Sequence, residues 1–488
     1  MPGSKAGRSL GNFSGRRRFL QSILEQRSAS TYGLVLVVVA GLLGATQAIS
    51  NILTVTVVAA VVIYEFQKRL DQGVPLLQLT ALIATMQWLV GPVLAYNNDY
   101  QYGKYSMYVS ESVYFEYALP GTALYVAVML AVGASIRQRE LLQTLDRSNF
   151  VKIGFFLNIV SLAASILAPR FGGTVQFLLF LLSQARYVGA IYFLLSNHPL
   201  RYIFAAGSFS FLLIGSLSVG MFHDMLLWLA VIFCYWFARK KWVLHTKLIV
   251  LSTAGLMLFG IQVVKQDYRA QLRRGETPSF TGMFFSYLTP QGKGWDDASL
   301  ANAISRLNQG WIISAIMDNV PAEVPFADGE TIKDAVVSAV LPRVLAPDKK
   351  EAGGRENFIR FTGLLLGEGT SMGISPLGEA YANFGVFGGC LLMMGFGALF
   401  AFSFKLALVF VARNPSFFFW LPMVFYQSIK AETELVVVLN QITKGAIVAY
   451  VLYKFTDINF PVRAKRMFLK PASVPVRRFS STATTASG

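Results

Sequence analysis

The chain has 488 residues, 54% of them hydrophobic and only 14% charged, with a formal net charge of +17; an ordinary soluble domain carries about 25% charged residues. Apolar runs of the length that crosses a hydrocarbon core about 30 Å thick recur along most of the chain. They exclude a soluble enzyme, a disordered protein and a coiled coil, and their continuity excludes an outer-membrane barrel, whose strands alternate.

Twelve helical spans are predicted, so the expected fold is an all-α polytopic integral membrane protein. They cover residues 32–49, 52–66, 74–96, 118–136, 151–167, 175–195, 202–219, 221–237, 248–264, 385–411, 417–429 and 435–453. The second and eleventh are short for a full crossing. Five segments follow: a basic tail (1–31), nine spans (32–264), one large loop (265–383), three spans (384–453) and a second basic tail (454–488). The last of these ends in Ser, Thr and Ala and reads as disordered.

Charge sets the expected orientation, because Lys and Arg in short loops stay on the cytoplasmic side. Lys5, Arg8, Arg16, Arg17, Arg18 and Arg27 precede the first span, and the C-terminal tail and the even-numbered loops are also basic. Both termini are therefore expected in the cytoplasm and the large loop outside it. This distribution absorbs the positive excess, so no nucleic-acid partner is implied. The Arg-rich stretch is too long for a signal-peptide n-region, which makes the first helix an uncleaved span. Cys234 and Cys390 both fall inside spans and read as packing residues.

The large loop is expected to be partly helical. Residues 299–317 and 331–341 carry apolar residues at helical spacing, suited to lying along a membrane surface. Its arginines cluster: Arg269, Arg273 and Arg274 after the ninth span, and Arg343, Lys349, Lys350, Arg355 and Arg360 before re-entry. A planar guanidinium grips phosphate oxygens at two points, so an anionic ligand near the membrane surface is one reading; pairing with the loop's own carboxylates is the other. Arg186 falls mid-span, where a charge costs at least about 2.5 kcal/mol and calls for a polar cavity or a partner such as Glu65. His223, at the start of the eighth span, is the one histidine on the outer side and a candidate general base.

No phosphate-binding glycine loop, HExxH or CxxC is present. Gly369-Thr370-Ser371-Met372-Gly373 matches a hydrolase elbow by letters only, without the strand that motif needs. No Asp-x-Asp triplet offers to hold a metal-bound nucleotide sugar. No cofactor and no metal is expected.

The stretch Ser375-Pro-Leu-Gly-Glu379-Ala-Tyr381-Ala-Asn-Phe-Gly385 resembles the re-entry segment of the bacterial O-antigen and exopolysaccharide repeat-unit polymerases (Wzy-type), which are related to O-antigen ligases. The span number, the inward tails and the single late loop agree with that resemblance. It implies a metal-independent membrane glycosyltransferase at the outer face of the inner membrane. That enzyme would join oligosaccharide repeats carried on undecaprenyl diphosphate, with membrane lipid, a chain-length regulator and a flippase as partners. Under it, Arg186, Arg269, Arg273, Arg274 and Arg360 would include the diphosphate clamp and Tyr381 would bind substrate. Glu379 would be the base or acceptor-orienting group, with His223 second; a structural cap on the re-entry is the other reading of Glu379. A ligase moving finished glycan and a transporter or flippase of lipid-linked sugars are the competing readings.

Overall fold

The computed structural model describes residues 24–26, 30–98, 105–132, 134–289, 297–341, 354–367 and 370–463. Their regular structure is helical apart from one short antiparallel pairing, β1 (Leu24–Gln26) with β2 (Ala134–Ile136). The first half contains α1 (Thr31–Ala45), α2 (Asn51–Leu70), α3 (Leu76–Tyr96), α4 (Glu111–Ala131), α5 (Gln138–Thr144), α6 (Phe150–Arg170), α7 (Val175–Leu195), α8 (Arg201–Val219), α9 (His223–Phe237) and α10 (Leu244–Arg273). The second contains α11 (Phe280–Leu288), α12 (Asp297–Leu307), α13 (Gly310–Asn319), α14 (Glu330–Val340), α15 (Arg355–Thr362), α16 (Ser375–Arg413), α17 (Leu421–Ile429) and α18 (Leu435–Asn459).

Among the described residues nine helices are long and apolar enough to cross a membrane: α2, α3, α4, α6, α7, α8, α10, α16 and α18. Helices α1 and α9 are apolar but shorter. The chain is thus an all-α membrane protein. The predicted eleventh span, 417–429, is a 3-10 turn, Pro415–Trp420, followed by the nine residues of α17, which is not among these crossing helices. α2 is longer than predicted at 20 residues, because Lys68 and Arg69 continue it past the apolar run. The predicted span at 118–136 is displaced: α4 starts at Glu111 and ends at Ala131, and residues 134–136 form β2.

Helix α4 is the central post. α16 and α1 pack along it, α6 packs on α7, and α17 and α14 pack on α18. Tyr114, Phe115, Tyr117 and Tyr125 of α4 are all buried. The Tyr117 hydroxyl donates to the Leu377 carbonyl at 2.7 Å, tying α4 to the start of α16. α3 is interrupted by a π turn, Met86–Val90. Two carbonyls there serve outside partners: Gln87 accepts the Gln309 N–H at 3.1 Å and Trp88 accepts the Tyr114 hydroxyl at 2.8 Å.

The 265–383 region differs from its prediction in three ways. α10 runs unbroken to Arg273, so Lys265 and Arg269 ride on a helix and not in a loop. The stretch 299–317 is two helices, α12 and α13, parted at Asn308 and Gln309. α13 does not lie on a membrane surface: Trp311, Ile312, Ile313, Ala315 and Ile316 are buried, and the helix packs against α16 and α15.

α16 is two helices in one. Ser375 caps its start, its hydroxyl accepting the Gly378 N–H at 3.1 Å, with Pro376 in the first turn. At Gly385 the backbone leaves the helical region (φ 64°, ψ −154°), a combination that is essentially glycine-only. The carbonyls freed by the break find donors on the chain before α14: the Ala382 carbonyl accepts the Ala327 N–H at 3.0 Å, and the Asn383 carbonyl accepts the Asp328 N–H at 3.2 Å.

Candidate functional site

A cleft of about 420 Å³ opens where the segment between α17 and α18 meets the chain around α13 and the turn before α16. Lys430, Glu432, Thr433 and Glu434 form one wall, Gln309 and Ile312 a second, and Ser371, Met372 and Gly373 a third. The third wall presses close: a Cβ on Gly373 would sit 2.4 Å from the Glu432 carbonyl oxygen, so only glycine fits.

Charged groups converge here from four helices. The Lys430 ammonium pairs with Asp224 of α9 at 2.7 Å, and the Tyr426 hydroxyl donates to the same carboxylate at 3.1 Å. His223 Nε2 lies 3.5 Å from Glu432 Oε1, while Gln309 donates to Glu432 Oε2 at 3.4 Å. Lys265 stands within electrostatic reach of Arg269, Arg306 and Glu432. Arg306 itself is held over the Tyr105 ring at 5.1 Å. Lys265 thus has Arg269, Arg306 and Glu432 near it, while Lys430 is paired with Asp224. Like charges brought near one another repel, and Glu432 is the anion that offsets them at Lys265.

The buried carboxylates are arranged differently. Glu379 is 1% exposed and does not line the cleft. Its Oε2 accepts the Leu435 N–H at 2.7 Å, and the Thr331 hydroxyl also bonds to it. Glu434, 2% exposed, is its acidic neighbour and accepts from Asn357 at 2.8 Å. Glu379 therefore holds the start of α18 in place, and Glu434 and Glu432 are the carboxylates at the cleft itself.

The other expected site residues scatter. Arg269 reaches the cation cluster; Arg273 and Arg274 are exposed at the α10 end. Arg360 forms a two-pronged pair with Glu330 at 3.0 and 2.9 Å. Hydrogen bonding by Glu330 raises the Arg360 guanidinium above its ordinary pKa. Its fork is already occupied. Tyr381 is buried between the rings of Tyr117 and Phe326, with centroids 5.1 and 6.2 Å away. Arg186 bonds to Ser161 and the Ser183 carbonyl, both at 2.8 Å, and to Ser165, with its guanidinium 5.4 Å from the Phe211 ring. Glu65 is not its partner; it accepts the Ser30 N–H and lies 3.7 Å from Lys68. Next to Arg186, Tyr187 stacks on Trp228, which stacks on Tyr426, so an aromatic row links this arginine to the Asp224–Lys430 pair. Arg355 bonds to the carbonyls of Leu366, Gly367 and Thr370 and shapes the glycine-rich turn. Arg343, Lys349, Lys350 and Gly369 lie outside the described residues. Cys234 and Cys390 are free and buried.

Lys265, Arg306 and Gln309 carry no mark of a site in the sequence, and Lys430 and Glu432 read there as residues at a span edge. The one available signal was the density of charge in Lys430-Ala-Glu432-Thr-Glu434 between two apolar spans. Read alone, it looks like residues snorkelling at a helix end.

A family model described as "Domain of unknown function (DUF8712)" matches residues 113–407, more than half of the chain. The chain belongs to that family. The match runs from α4 into α16 and takes in His223, Lys265, Arg269, Arg306 and Glu379; the cleft wall from Lys430 to Val437 lies beyond it. No curated protein and no solved structure matches the chain.

Proposed function

We propose that this member of the family is a membrane glycosyltransferase that joins oligosaccharide repeat units carried on a lipid diphosphate, with undecaprenyl diphosphate as the carrier. The reading rests on one observation above the others. Lys430, Glu432 and Glu434 line a cleft, His223 lies 3.5 Å from Glu432, and Lys265, with Arg269 and Arg306 near it, stands within electrostatic reach of Glu432. The resemblance of residues 375–385 to the polymerases supports it from the sequence side. The reaction needs two things from the protein. Fixed cations must take up the charge of a departing diphosphate. A base must accept a proton from the attacking sugar hydroxyl.

In this reading the acceptor hydroxyl of one repeat attacks the anomeric carbon of the growing chain. The bond from that carbon to the diphosphate oxygen breaks, and the lipid diphosphate leaves with the electron pair, held by Arg269, Lys265 and Arg306. The hydroxyl proton passes to Glu432, oriented by His223 and Gln309. Glu379 acts behind the cleft as a positioning residue, and Lys430 is set by Asp224. No metal or cofactor is called for in the scheme. The orientation proposed, with both termini cytoplasmic, puts the cleft at the outer surface of a bacterial inner membrane, where a chain-length regulator and a flippase would be its partners.

The test is a sizing gel of lipid-linked and surface glycans from a strain lacking this protein. Single repeat units accumulating while long chains vanish is the expected outcome. Long chains persisting on the lipid carrier would assign the protein instead as a ligase, and failure of repeat units to reach the outer face would assign a flippase.

A further inference from the structure

At the far end of α9 from His223, a second positive cluster involves neither the cleft nor the carboxylates around it. Fifteen residues of helix separate the two places, roughly 22 Å at 1.5 Å per residue. Arg147, from the turn before α6, Arg201, at the start of α8, and Arg239, just past α9, come together there. Burial lowers the pKa of Arg147, and the charges of Arg239 and Arg201 lower it further, which records how near the three stand. Arg147 and Arg201 each spend one N–H on a backbone carbonyl, Leu195 at 3.2 Å and Ser196 at 3.4 Å. Arg147 Nε is buried with no hydrogen-bond partner.

Arg201 and Arg239 both donate to the Tyr202 hydroxyl, each at 3.3 Å, so one neutral oxygen serves two guanidinium groups. Among the described residues no carboxylate pairs with any of the three arginines; the nearest in sequence, Asp146, accepts from the N–H and hydroxyl of Ser148. The tail leaves beside them, since the Arg463 carbonyl accepts the Asp146 N–H at 2.8 Å. Residues 464–488 contain Lys465, Arg466, Lys470, Arg477 and Arg478 and no Asp or Glu, so they bring no neutralising charge.

We propose that Arg147, Arg201, Arg239 and the Tyr202 hydroxyl form a binding site for the phosphate of an anionic lipid headgroup. Guanidinium forks fit tetrahedral phosphate oxygens, and the crowded donors at Tyr202 gain the acceptors they lack. The surroundings favour a lipid over a free phosphate ion. Leu200 and Ile203, on either side of Arg201 and Tyr202, are 46% and 65% exposed, and Phe155 and Ile159 of α6 are exposed on the neighbouring helix. A headgroup held by the arginines would lay its acyl chains along these side chains. The inference does not rest on the glycan reading, because no cleft residue enters it.

The experiment uses full-length protein, delipidated in detergent and titrated with phosphatidylglycerol, phosphatidylcholine or inorganic phosphate. Bound lipid is read by native mass spectrometry and folding by thermal unfolding. Wild type should retain phosphatidylglycerol over phosphatidylcholine and gain thermal stability from it, with no gain from phosphate at equal concentration. Arg201→Gln with Arg239→Gln removes two charge-assisted donors and should weaken retention by on the order of a hundredfold. Lys240→Gln with Lys241→Gln removes the same charge from the adjoining turn and should change it little. Equal loss in both double variants would mean a diffuse charge effect and would overturn the site. Full stabilisation by inorganic phosphate would overturn the lipid assignment. If the double variant does not fold, Arg239→Gln alone decides, with about a tenfold loss expected and unchanged retention refuting the proposal.

Discussion

Replacing Glu432 by Gln tests the catalytic proposal most directly. The side chain is about one-third exposed (37%) and sits between His223 Nε2 at 3.5 Å and the Gln309 amide at 3.4 Å. Gln keeps the length and one carbonyl acceptor but cannot take a proton. Its partly exposed pair with His223 contributes no more than about 1 kcal/mol to stability, so thermal unfolding should move little. Loss of a general base costs about 10²- to 10⁴-fold in rate, or about 3 to 5 kcal/mol of barrier. Chain growth in a strain complemented with Glu432→Gln should thus collapse to one or two repeats on a sizing gel at normal protein level. Wild-type chain lengths from a stably expressed Glu432→Gln protein would refute the assignment. Wild-type lengths from Glu432→Ala as well would remove Glu432 from the mechanism entirely.

Arg269→Gln and Lys430→Gln should each shorten the polymer and raise the amount of lipid-linked repeat needed in a reconstituted assay; a full-length ladder from both would dismiss the cation cluster as a diphosphate site. Arg360→Gln should leave chain length unchanged and cost under about 1 kcal/mol, because an exposed pair with Glu330 contributes little; short chains would restore it to the clamp. Glu379→Ala removes the acceptor for the Leu435 N–H and the Thr331 hydroxyl and should destabilise by about 1 to 3 kcal/mol, whereas Glu379→Gln should cost less in the same unfolding assay. Gly385→Ala should lower stability by about 1 to 3 kcal/mol, since its backbone conformation is closed to residues with a Cβ; an unshifted melting curve would show that the break does not need glycine.

The membrane helices were legible because a lipid core demands long apolar runs, which a single chain cannot disguise. α6, α7, α8 and α18 begin within one residue of the expected positions. Helix ends were less legible where polar residues continue the helix beyond the lipid, as Lys265 to Arg273 do in α10. The division of 299–317 at Asn308 was invisible for another reason. Its cause is a distant partner, the Gln87 carbonyl in the π turn of α3. The candidate site was half legible. His223 and Arg269 stood out as charges in unusual places, and Glu379 stood out in its motif. Arg360 looked equally suited to a ligand, but its fate is decided by Glu330, 30 positions away. Lys430 and Glu432 became interesting only once α9, α10 and α13 were folded around them.

The π turn in α3 has a consequence for how this chain tolerates insertion and deletion. A wide turn holds one residue more than the α-helix it interrupts, and each residue in an α-helix rotates the following side chains by about 100°. Deleting one residue between Met86 and Val90 would restore a regular helix while leaving its lower part, with Leu79 and Ala84, facing the same neighbours. The upper part would keep its facing as well, since only the surplus residue is lost, and Pro92 and Val93 would stay on their buried face. What the deletion would withdraw is the carbonyl that meets Gln309. A single-codon deletion there should therefore yield a protein that inserts normally yet has lost the anchor beneath one wall of its cleft. The same deletion in the uninterrupted α4 would turn half of a buried helix toward lipid.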